Sequence, residues 1–185
     1  MRWKMKTVYV FFVDGFEEIE GLTVVDLLRR AEIPVKMVSV GGTKEVTGSH
    51  DITVKMDMSL TDVTLDTASA FILPGGPGTG NLAKSESLMN LLEQANREKL
   101  LLGAICAAPS ILGDRGMLIG KQAVCYPGFE SRLKEAEVLN IPVVVAEHIV
   151  TSRGMGTAIP FGLQLIEQLM GEAKANEIRS SIIYS

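Results

Sequence analysis

Runs rich in Val, Ile and Phe recur along this chain with helical patterns between them, and few folds accept that order. Residues 7–13, 35–40, 70–73 and 100–105 are apolar without a two-residue alternation, as are Val143–Ala146 and Ile149–Ser152. Strands of that kind are buried on both faces, which suits a parallel sheet covered by helices on each side. Helical periodicity fills the intervals at 17–31, 85–97 and 156–170, with further helices from 107–112 and over 172–178. Residues 123–126 read as one more strand. The segment 47–54 reads as a small hairpin, with Gly41-Gly42 and Gly48 as turns. The expected fold is therefore α/β, a flavodoxin-like three-layer sandwich with a mostly parallel sheet and a small hairpin. No linker, repeat or low-complexity segment divides it, so residues 1–185 are expected to form a single domain.

Composition narrows the class of partner. At 46% hydrophobic and 22% charged, the chain has the balance of a globular protein with a sizeable core. A net charge of −4 argues against nucleic acid, whose phosphates need a basic surface. The start MRWKMK followed by TVYVFFV imitates a leader, but Asp14-Gly15 and three glutamates end the apolar run where a small-residue cleavage site would belong. A first core strand is the better reading, and no stretch has the roughly 18 apolar residues that span a bilayer. Two cysteines, Cys106 and Cys125, are too few for a disulfide framework and fit a reducing, cytoplasmic setting. No zinc-ligand spacing is present, so no metal and no cofactor is expected.

In such sheets ligands collect beyond the carboxyl ends of the strands. Three small-residue corners fall there: Asp14-Gly15, Pro74-Gly75-Gly76 and Cys106-Ala107-Ala108. In Ala104-Ile105-Cys106-Ala107-Ala108 both positions two away from the cysteine are alanine. A nucleophile on a sharp strand–turn–helix elbow needs such small flanks. A helix N-terminus would lower the thiol from about 8.5 into a range of roughly 3.5 to 7.5. A cysteine that merely fills a core gap satisfies the same pattern.

Glu20 sharpens the choice. With Val24, Leu27 and Ala31 it lies at i, i+4, i+7 and i+11, on the apolar stripe of the first helix. A carboxyl there is desolvated and held neutral to higher pH, and could donate a hydrogen bond to a thiolate. Glu17 and Glu18 read equally well as an acidic first turn. PGGPGTGNL at 74–82 lacks both the third glycine of a dinucleotide fingerprint and the lysine of a phosphate loop. Its bare N–H groups, with that of Ala107, could instead form an oxyanion hole. TSRGMGT at 151–157 reads as structural, and chain spacing places neither His50 nor His148 near the elbow.

Taken together, GFEEIE, ILPGG followed by NL, GAICAAP and TSRGMGT resemble the ThiJ/PfpI superfamily, in the clade of the parkinsonism-associated deglycase. The resemblance covers nearly the whole chain, with the motifs in order. It implies a flavodoxin-like sandwich, a homodimer, and a reactive cysteine: Cys106 as nucleophile, Glu20 as the buried acid, and Gly76 and Ala107 as backbone donors. Gly75, Tyr126, His50, Arg30 and Arg153 become pocket candidates, Arg30 near a dimer-related pocket. Tyr126 stands where the family often has a histidine, and His50 where it has an arginine. Ala107 replaces the histidine of the protease branch, which argues against peptidase activity. The implied function is a cysteine-dependent glyoxalase or deglycase acting on methylglyoxal-type dicarbonyls or glycated protein. The rival is a redox-sensing, chaperone-like stress protein that uses the same sulfur without turnover.

Overall fold

The computed structural model describes residues 6–185, so residues 1–5, the basic start of the leader-like segment, lie outside the described residues. The chain runs β1 (Thr7–Phe12), α1 (Glu18–Arg30), β2 (Val35–Ser39), β3 (Glu45–Thr47), β4 (Thr53–Lys55), β5 (Met58–Ser59) and β6 (Ala68–Leu73). It continues through α2 (Thr79–Ala83), α3 (Glu86–Arg97), β7 (Leu101–Ile105), α4 (Pro109–Asp114), β8 (Gln122–Ala123) and β9 (Glu137–Val138). It ends with β10 (Val143–Ala146), β11 (Ile149–Ser152), α5 (Ala158–Met170) and α6 (Glu172–Ser181). Seven strands make the central sheet in the order β10-β11-β7-β6-β1-β2-β5, parallel throughout except for β10 against β11.

The absence of alternation in the first strand has a direct cause. Val8, Val10 and Phe12 face one core, with Leu28, Phe161 and Ile178 from α1, α5 and α6. Tyr9, Phe11 and Val13 face the other, with Leu88, Leu92 and Leu112 from α3 and α4. Both faces of β1 exclude water, so both sets of side chains must be apolar. Phe11 packs edge-on against Phe71 and Phe12 against Phe16, at centroid separations of 5.3 and 4.8 Å. β3 and β4 form the expected hairpin, antiparallel with Val46 opposite Val54. Among the described residues no helix is long and apolar enough to cross a membrane.

Differences from the sequence reading lie at element ends and in three short elements it lacked: β5, β9, and α2 within the glycine-rich stretch. Only Gln122–Ala123 pairs as a strand, whereas residues 124–126 turn away and Tyr126 donates its N–H to the Cys106 carbonyl at 2.7 Å. The long helix starts at Ala158 after a 3₁₀ turn, Met155–Thr157. β1 lies at the switch in the sheet order. Strands on its two sides are reached by opposite crossovers, so the loops after β1 and β6 part and leave a crevice at their carboxyl ends. Phe161, fully buried under α5, ties that helix to the sheet. Phe161→Ala is expected to lower unfolding stability by about 3–5 kcal/mol, read from the urea midpoint at constant slope.

Candidate functional site

Three loops interlock at the crevice. Glu17 donates its N–H to the Gly75 carbonyl at 2.9 Å, and Gly78 donates to the Gly15 carbonyl at 2.8 Å. A Cβ on Gly76, whose φ is +104°, would sit 2.5 Å from the Glu17 nitrogen. Only a bare glycine backbone allows the loops this close.

Cys106 directly follows β7, in the left-handed region at φ +66°. For a residue with a side chain that conformation costs on the order of 1–3 kcal/mol and persists only where neighbours hold it. Here they do: its N–H donates to the Ser152 carbonyl at 3.0 Å, and its carbonyl accepts from Tyr126. The N–H groups of Ala107 and Gly76 face the sulfur. Ala107 and Ala108 form the turn, and α4 begins at Pro109. The result is a partly exposed sulfur on a strand–turn–helix elbow.

Glu20, on the first turn of α1, is 1% exposed. Its Oε2 accepts from the Gly75 N–H at 2.9 Å. A Cβ on Gly75 would lie 2.6 Å from the Cys106 Cβ and 2.7 Å from that oxygen, so this glycine is what lets acid and thiol meet. Burial pushes the Glu20 carboxyl up to about 7, with a smaller push from the Glu17 charge and an opposing pull from Cys106 and Gly75.

For the thiol the direction is opposite to the one the helix-end argument gave. Burial, then the charge and hydrogen bond of Glu20, push Cys106 up to about 12 against the pull of the Ala107 and Gly76 amides. α4 has only six residues and starts beyond a turn, so little dipole reaches the sulfur. Two of the three upward causes belong to Glu20 in its charged form. When that carboxyl holds a proton both vanish, and its O–H can donate to sulfur. Acid and thiol therefore titrate as a pair that shares one proton near neutrality.

The pair opens on a cavity of about 760 Å³, walled by Glu17, His50, Pro77, Tyr126, Phe129 and Arg153, with Met155 among the remaining lining residues. Gly76 and Ala107 line it also, whereas Gly75 lies behind Glu20. Tyr126 is half exposed, and its ring faces Gly154 across from the Glu20 carboxyl. Arg30 is placed elsewhere. Ten residues beyond Glu20 on α1, roughly 15 Å along the axis, it pairs with Asp26 at 2.6 Å on an exposed surface. That separation removes it from this cavity.

His50 reaches the wall because the hairpin folds over α1, a contact that chain spacing does not reveal. Its backbone N–H donates to Glu18 Oε1 at 2.7 Å, and its Nδ1 lies 3.0 Å from Oε2. Burial would raise Glu18, but these hydrogen bonds outweigh it and hold the carboxyl at about 2. Glu17, Glu18 and His50 bring ligand atoms within 4.8 Å of one another, a cluster of residue types that can ligate a metal. His148 is remote, bound through Nε2 to Asn96 at 2.8 Å. Cys125 is buried in the core beneath α3 and α4.

Fold and site together define an α/β sandwich with an acid-paired cysteine at the carboxyl edge of its sheet. The chain belongs to the DJ-1/PfpI family, whose sequence pattern matches residues 6–168. It is 35% identical to protein dj-1beta of Drosophila melanogaster over 96% of this chain and 97% of that one. It is 33% identical to the Schizosaccharomyces pombe protein named glutathione-independent glyoxalase DJ-1, over 96% and 98%. The chain spans about half the length of the Arabidopsis thaliana protein DJ-1 homolog A, at 37% identity over 96% of this chain and 46% of that one. The crystal structure of the fly protein superposes with a TM-score of 0.93, covering 98% of this chain and all of that one at 32% identity.

The shared proton gives a measurable signature. The rate of Cys106 alkylation by iodoacetamide is expected to show an inflection near pH 7 in the wild type. In Glu20→Gln that step should disappear, leaving one inflection above the ordinary thiol value, because burial of the sulfur remains. Mass-spectrometric counting of alkylated Cys106 against pH reads both.

Proposed function

We propose that the chain, as a single domain over residues 1–185, is a cofactor-independent glyoxalase or protein deglycase acting on methylglyoxal-type dicarbonyls or their adducts. One observation carries the reading: a desolvated carboxyl, poised near neutrality, against a cysteine on a strained elbow that opens on a cavity. General acid–base catalysis is most effective when the group's pKa lies near the working pH, and contributes roughly 10² to 10⁴ in rate.

The Cys106 sulfur adds to the aldehyde carbon while its proton passes through Glu20 to the new hydroxyl, giving a hemithioacetal. Glu20 then takes the hydrogen of that carbon as a proton and returns it to the neighbouring carbon, while the hydroxyl proton passes from the first oxygen to the second, leaving a thioester of lactate. Water releases lactate and restores the thiol. The N–H groups of Gly76 and Ala107, which flank the sulfur, are the donors available to oxygen charge as it forms. A general-base start of this kind does not require a standing thiolate.

The name of the fission-yeast relative supports this choice over the alternative, in which peroxide oxidises the same sulfur without turnover. Purified protein is expected to convert methylglyoxal to lactate, with Cys106→Ser and Glu20→Gln each reducing kcat/KM by at least about 10²-fold. Equal rates in all three proteins would end the proposal. We place the protein in the cytoplasm as a homodimer, on the two free cysteines and the family; light scattering should then give twice the chain mass.

A further inference from the structure

The proposed chemistry leaves most of the cavity unused. Methylglyoxal is no bulkier than a few water molecules, whereas about 760 Å³ is the size of a site for a much larger ligand. The extra space is not featureless. Tyr126, Phe129, Pro127 and Met155 give it an apolar side, and Arg153 contributes a cation.

Arg153, like Arg97 and Arg179, has no carboxylate partner among the described residues, and of these three it is the one that lines the cavity. Its side chain makes no hydrogen bond or ion pair among the described residues, while Arg29, Arg30, Arg115 and Arg132 each hold a carboxylate. Its backbone is nonetheless fixed. It follows β11 directly, between Ser152, whose carbonyl holds the Cys106 N–H, and Gly154, whose N–H donates to Thr157 Oγ1 at 3.1 Å. Ser152 and Thr157 hydroxyls meet at 2.6 Å beneath it. A half-buried guanidinium set on an anchored backbone, in a cavity wall and without a partner, is a ready receptor for an anionic oxygen group. Glu17 and Glu20 line the same cavity and would repel a second negative charge, so a monoanion fits better than a phosphate.

We propose that Arg153 is a specificity-determining residue that selects 2-oxoaldehydes bearing a carboxylate at the far end of an apolar body, which lies against Tyr126, Phe129 and Met155. The proposal rests on the glyoxalase reading for its reaction and goes beyond it in naming the substrate class. The aldehyde carbon meets Cys106 as before, and the carboxylate is bound but unchanged by the reaction.

Phenylglyoxal and 4-carboxyphenylglyoxal share one body and differ in that charge. Initial rates with the wild type should favour the carboxylated compound by about tenfold in kcat/KM, which corresponds to about 1.4 kcal/mol, with the difference carried by KM. Arg153→Met should bring the ratio close to one, and Arg153→Lys should keep part of it. A binding measurement runs alongside: protection of Cys106 from iodoacetamide by acetophenone and by 4-acetylbenzoate, which share that body, lack the aldehyde and differ in the one charge. The charged compound should protect at about tenfold lower concentration in the wild type only. Turnover of both aldehydes with no preference, or a preference that survives Arg153→Met, overturns the selection and leaves the glyoxalase reading standing. Absence of turnover with the Arg153-dependent protection intact overturns the glyoxalase reading and upholds Arg153 as the residue that selects the anion.

Discussion

The approach of the Glu20 carboxyl to the Cys106 sulfur is the constraint around which the rest of the site is arranged. It brings two acids into one small, mostly dry space, where both cannot readily ionise. Gly75 has to lack a side chain for them to meet, and its N–H anchors the carboxyl. Gly76 has to adopt a positive φ for the same loop to pass under Glu17. The left-handed turn at Cys106 then aims the sulfur back at the acid rather than into the core. Each local departure from ordinary backbone geometry serves that one encounter.

Much of the fold is legible in the sequence because burial on both faces leaves a simple mark. Strands with no alternation and helices with a single apolar stripe admit few arrangements, and the central β1, β2, β6, β7 and β11 follow from them. Pairings only two residues long, Met58–Ser59 and Glu137–Val138, have no room for a period and leave no such mark. At the site, Glu20 is legible by its place on the stripe, and the elbow by its alanine flanks. The protonation of Cys106 is not. It depends on groups near residues 20, 76 and 107 that meet only in three dimensions, and chain spacing offered only a helix end, which proves too short to dominate. Chain spacing alone missed His50 for a similar reason, since a hairpin more than thirty residues from Glu17 in sequence supplies it, and only the family resemblance pointed to it.

Glu18 shows how two neighbouring carboxyls come to opposite ends of the scale. Both are buried on α1, two residues apart. Glu18 receives the His50 N–H and imidazole and stays ionised far into acid, whereas Glu20 receives a single amide and a thiol and gains a proton near neutrality. Desolvation is common to both, so the number and kind of donors decides the outcome. The charged member fastens the hairpin over the helix, and the neutral member is left free for chemistry.

The hydrogen bond from the Cys106 N–H to the Ser152 carbonyl has a consequence for the order of events during biosynthesis. The elbow depends on β11, which enters the sheet beside β7 although more than forty residues of chain separate the two. A ribosome-bound chain that ends short of β11 possesses the cysteine, the acid and every glycine between them, yet lacks the backbone that holds the turn. The turn at Cys106 thus gains the carbonyl that anchors it only when the last strand docks.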